Sequence, residues 1–117
     1  MRYESDGSSI TVFADSDNGF DVNLTIDGGN SYMVSFDAWH EETESEDEAL
    51  NLFALGLSNE CRLKEYQRGK YSYKWTMELL EEGQWSEYST TSLLLFPFWK
   101  KRSVRYLQNG LVKFKRD

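Results

Sequence analysis

Phe20-Asp21-Val22-Asn23-Leu24-Thr25-Ile26-Asp27-Gly28-Gly29-Asn30-Ser31-Tyr32-Met33-Val34-Ser35-Phe36 is the stretch that decides the fold class. Apolar side chains occupy alternate positions on both sides of its centre: Phe20, Val22, Leu24 and Ile26 before, Tyr32, Val34 and Phe36 after. A period of two marks half-buried antiparallel strands, and Gly-Gly-Asn between them is turn chemistry. A loop of Gly28, Gly29 and Asn30, with Asn30 left-handed, sets Asp27 opposite Ser31, Leu24 opposite Val34 and Val22 opposite Phe36. Both apolar rows then share a face, the register that burial demands.

Upstream, Ile10, Val12 and Ala14 supply a third row. A two-residue turn at Asn18-Gly19 would throw that row to the opposite face. A loop of Asp17, Asn18 and Gly19, with Gly19 left-handed, instead predicts Ala14 opposite Val22, Val12 opposite Leu24 and Ile10 opposite Ile26. Downstream, Ser45 and Glu48 form a capping box, and Glu46 and Asp47 set negative charge on the positive end of a helix dipole. The spacing predicts a helix over about 45–58, with Leu50, Phe53, Ala54 and Leu57 against the sheet and Ser58-Asn59 as its exit.

The second half returns to strands. Tyr71, Tyr73, Trp75, Met77 and Leu79 alternate with polar residues, flanked by strands over Glu60 to Gln67 and Gln84 to Ser89. A three-residue loop of Arg68, Gly69 and Lys70 predicts Leu63 opposite Trp75 and Cys61 opposite Met77. The alternative register would pair Tyr66 with Tyr71. Thr90 to Pro97 reads as a strand buried on both faces and stopped by Pro97. Lys100 to Phe114 suits a helix through Val104, Leu107 and Leu111 or a strand through Val104 and Tyr106. The expected architecture is α+β: a single domain over 1–117 with a mainly antiparallel sheet of six or seven strands, one helix on one face, and the order βββ-α-ββββ.

Charge is unevenly spread. Of the net −7, residues 1–60 hold 14 acids and one base, whereas residues 61–117 hold 12 bases and 6 acids. This asymmetry fits either two halves that neutralise each other or two faces of opposite potential. The overall sign argues against nucleic-acid or anionic-membrane binding. Cys61 is the only cysteine, so no internal disulfide is possible, and the chain start lacks the apolar run of a secretory signal. Both features lead to the expectation of a cytoplasmic protein.

Motifs for catalysis are missing: no phosphate-binding glycine loop, no paired zinc cysteines and no nucleophile elbow. The expectation leans against an enzyme and against a cofactor or metal. His40 stands alone, since alternation points it away from Trp39 and Glu41. Asp15, Asp17, Asn18 and Gly19 resemble the start of a calcium loop but miss its spacing and its closing glutamate.

Two segments remain for function. Glu41, Glu42 and Glu44 open an acidic run, and Phe98, Trp99, Lys100, Lys101 and Arg102 join aromatic and basic character. Together they predict a small acidic interaction protein of the inhibitor or immunity type, steered by charge and docked through an aromatic patch onto a protein partner. An alternative is a ligand protein or minor enzyme with Trp39, Tyr73 and Trp75 as the walls of a cleft between sheet and helix. A third is a homodimer pairing the acidic face of one copy with the basic face of the other.

Overall fold

The computed structural model describes residues 2–111. It contains nine strands and one helix: β1 (Arg2–Ser5), β2 (Ser9–Phe13), β3 (Val22–Asp27), β4 (Ser31–Phe36), β5 (Trp39–Thr43), α1 (Glu46–Leu57), β6 (Cys61–Arg68), β7 (Tyr71–Glu81), β8 (Gln84–Ser92) and β9 (Arg102–Leu107). The α+β class and the mainly antiparallel sheet hold, with the order βββββ-α-ββββ. Strands β1 to β5 form one sheet in chain order, and the second sheet runs β8-β7-β6-β9. The two strands that alternation missed are β1, exposed along its whole length, and β5, which holds the start of the acidic run.

The β3–β4 hairpin has the expected register, with Val22 opposite Phe36, Leu24 opposite Val34 and Asp27 opposite Ser31. Its left-handed residues are Gly28 and Gly29 rather than Asn30, because glycine carries no steric cost there. The β2–β3 pairing keeps the expected faces but slips by two residues, so that Val12 meets Val22 and Ile10 meets Leu24. The slip arises because the connection is longer than three residues. Phe20 leaves the strand and folds into the core, and the Asp21 carboxylate accepts the Ala14 backbone N–H at 2.8 Å.

Hairpin β6–β7 repeats this outcome. Its turn is the two-residue Gly69-Lys70, and a bulge after Tyr66 shifts the register so that Leu63 meets Met77 and Cys61 meets Leu79. The bulge reconciles the short turn with burial of both apolar rows. Glu82 and Gly83, both left-handed, turn β7 into β8. The segment expected as a doubly buried strand over Thr90 to Pro97 is not one. β8 ends at Ser92 and the chain continues as an exposed loop, because both flanks of β7 are already occupied by β6 and β8. The open choice for 100–114 resolves to a strand where it is described: β9 pairs with β6, leaving 112–114 outside the described residues.

The helix begins as its capping signal requires, Ser45 Oγ accepting the Glu48 N–H at 3.2 Å. Glu48 bonds the Thr43 hydroxyl rather than closing the box onto Ser45. The buried face is Ala49, Leu52, Gly56 and Leu57, rotated from the expected one, and Leu50 is half exposed. Gly56 explains the rotation. A Cβ there would lie 2.3 Å from Cε1 of the wholly buried Phe36, so the helix approaches the first sheet at its one residue without a side chain.

The core draws on both sheets, joining Val12, Phe20, Val22, Val34, Phe36 and Trp39 with Cys61, Leu63, Trp75, Met77 and Leu107 across the helix. Burial pushes the Cys61 thiol up to about 12, so it stays protonated in the interior. Asn109 ties the halves together: its Nδ2 donates to Phe20 O and Gly56 O at 2.9 and 2.8 Å, and its Oδ1 accepts Phe20 N–H at 3.1 Å.

Candidate functional site

Strand β8 lies at one edge of the second sheet and β9 at the other, so residues 93–101 must cross the end of the β6–β7 hairpin. The crossing is pinned at both ends. Leu93 N–H donates to Tyr73 O at 2.7 Å, and Gly69 N–H donates to Lys101 O at 2.9 Å. In its middle Phe96 stacks on Tyr73, with ring centroids 4.2 Å apart. Turn bonds from Phe98 N–H to Phe96 O and from Lys100 N–H to Pro97 O shape the remainder.

With Phe96 as anchor, the neighbouring apolar side chains point away from the protein. Leu94 is 94% exposed and Leu95 90%, and Phe98 and Trp99 remain 69% and 72% exposed. Phe98 and Trp99 meet edge to face at 5.4 Å. Tyr71 and the Leu94 to Lys100 stretch enclose a shallow depression of about 810 Å³. Lys100 lines it as well, its ammonium 5.1 Å from the Tyr71 ring centroid, and Lys101 and Arg102 follow in the chain. The exposed apolar side chains are contiguous across this depression.

Glu41, Glu42 and Glu44 sit elsewhere, on β5 and the turn into α1. Glu41 accepts a 2.7 Å bond from the Tyr88 hydroxyl across the seam between the sheets, while Glu42 and Glu44 are exposed. Burial, with that bond to the carboxylate, pushes the Tyr88 phenol up to about 12. The acidic and the aromatic-basic residues therefore occupy separate places. The ion pairs among the described residues, Arg62 with Glu78 and Arg105 with Glu65, both lie inside the second half.

Trp39, Tyr73 and Trp75 are interior residues. Trp39 is fully buried against Phe36 and donates its indole N–H to Ser89. Trp75 donates to the buried Glu65 at 3.2 Å, and Tyr73 carries Phe96. The depression is walled by Tyr71 and the crossover loop. Leu94 and Leu95, its most exposed residues, read from the sequence as core, and four consecutive apolar residues give no signal to the contrary. His40 is exposed, and among the described residues no group of three or more His, Cys, Asp or Glu side chains could hold a metal ion. No described helix is long and apolar enough to cross a membrane.

Asp37 turns β4 into β5 in the left-handed region, φ 52°, and accepts Asp21 N–H at 3.1 Å. Burial raises its carboxyl pKa, and the charges of Asp21 and Glu65 add to the rise. No protein-family model, curated protein or solved structure matches the chain.

Proposed function

We propose that this protein is a non-enzymatic, cytoplasmic protein-interaction module that docks through its crossover loop. The observation that carries the reading is the outward exposure of Leu94, Leu95, Phe98 and Trp99 on a loop pinned by Leu93 and Lys101. An ordered apolar surface enters an interface with little further loss of conformational freedom. Lys100, Lys101 and Arg102 beside it fit a partner surface whose apolar pocket is ringed by carboxylates. The charge imbalance between the halves, with Glu42 and Glu44 exposed on the acidic one, orients the molecule in the partner's field during approach. A single, buried cysteine suits a reducing compartment.

The test uses the full chain and a Leu94→Ser, Leu95→Ser, Trp99→Ser variant as paired baits at low and moderate salt, with circular dichroism confirming the variant's fold. The expected result is one stoichiometric protein partner held by the wild type, weakened by salt and lost with the variant. Identical captures by both baits would sink the reading. A solution mass near twice 13.7 kDa that falls with salt and returns to the monomer in the variant would replace it with the homodimer.

A further inference from the structure

A second feature lies on the outer face of the second sheet, where β6, β7 and β9 run side by side. Three cations converge on one ring: Lys74 Nζ is 4.7 Å from the Tyr66 centroid, Lys64 Nζ 5.0 Å and Arg102 Cζ 5.0 Å. They come from three different strands, and beneath them Tyr66 is buried. Arg68, opposite Arg102 in the β6–β9 register, donates from Nη1 to Lys100 O at 3.4 Å, on the crossover loop. Glu78, the carboxylate whose charge reaches Lys64, is itself bonded to Arg62 at 2.6 Å.

We propose that Lys64, Lys74 and Arg102 form a binding site for a phosphate or diphosphate group. Two ammonium groups and a guanidinium fork arriving from three strands suit a compact multi-oxygen anion better than a flat monovalent carboxylate. The phosphate belongs to a free small molecule or to a lipid headgroup, and the site shares Arg102 with the cations beside the docking loop.

Inorganic pyrophosphate, titrated into the full chain by calorimetry, is the first probe, followed by phosphatidylcholine vesicles with and without phosphatidic acid. The expected result is one pyrophosphate per chain, with affinity falling about tenfold in Lys74→Gln and in Lys64→Gln, as loss of one charge-assisted contact implies. Arg102→Gln, on a separate strand, gives the same loss and guards against misfolding of either lysine variant. Lys101→Gln, outside the cluster, binds as the wild type does. Binding to phosphatidic acid vesicles that pyrophosphate displaces assigns a headgroup source, and pyrophosphate binding without vesicle binding assigns a soluble one. No pyrophosphate binding at millimolar concentration, unchanged affinity in Lys64→Gln and Lys74→Gln, or binding confined to a single-stranded oligonucleotide would each overturn the proposal.

Discussion

The two sheets are built from similar hairpins, yet only the second exposes a large apolar loop. In the first, every strand pairs with its chain neighbour, and the connections are tight turns or, at residues 14–21, a loop that buries Phe20. In the second, the last strand returns to the far edge beside β6, and residues 93–101 must span the hairpin end. Such a segment finds no sheet partner, so its leucines lie outside. Binding surfaces are concentrated on connections of this kind, held by a rigid scaffold.

That contrast can be broken first at its joint. Asn109→Ala removes three buried hydrogen bonds that hold the Phe20 loop and the helix end of the first half to the second. The expected loss is about 3 kcal/mol, near 15 °C in Tm by calorimetry. A loss below about 1 kcal/mol would mean that the halves cohere without it. Gly56→Ala tests how tightly the helix sits on the first sheet: overpacking against Phe36, partly offset by better helix propensity, should cost about 1–2 kcal/mol in urea unfolding. If the variant proves more stable, the close approach is not a constraint.

The seam between the sheets offers a pH test. The Tyr88 phenol is raised from 10.0 to about 12, so the folded protein holds that proton more tightly than the unfolded chain does. The stability contributed is whole below pH 10 and is lost as pH rises through about 12. Glu41→Gln removes the carboxylate that accepts the phenol's bond, and the Tyr88 pKa should fall toward its ordinary value in an ultraviolet titration. The smallest stability effect is expected at the loop. Leu94→Ser with Leu95→Ser should leave stability within about 0.5 kcal/mol, because neither side chain is buried. A larger loss would show that the loop packs on something and would remove it as a docking surface.

Legibility followed the range of the interaction. The β3–β4 register could be read because the loop length and both apolar rows lie within a short stretch. The β2–β3 and β6–β7 hairpins were legible as to face but not as to register. Alternation specifies parity, while the two-residue slips came from Phe20 folding inward and from the bulge after Tyr66. At the candidate site, Phe98, Trp99 and the cations after them stand out in the sequence as a mixed segment. Leu94 and Leu95 mislead, because hydrophobicity marks what burial favours and cannot say whether space in the core remains. The Tyr66 cluster leaves no local trace because Lys64, Lys74 and Arg102 are distant in the chain and meet only through pairing across strands.

By itself the amino-acid order determined the strand-rich α+β class, the helix start at Ser45, the Gly28-Gly29 turn and the opposed charges of the two halves. Each depends on side-chain period, local hydrogen bonding or composition, which act between near neighbours or need no geometry at all. Only the tertiary structure decided that β9 lies beside β6, that Gly56 turns the helix face toward Phe36, and that the apolar loop faces outward beside a cluster of cations. Those outcomes depend on which surfaces are already covered when a segment arrives, and that competition is settled across the whole molecule.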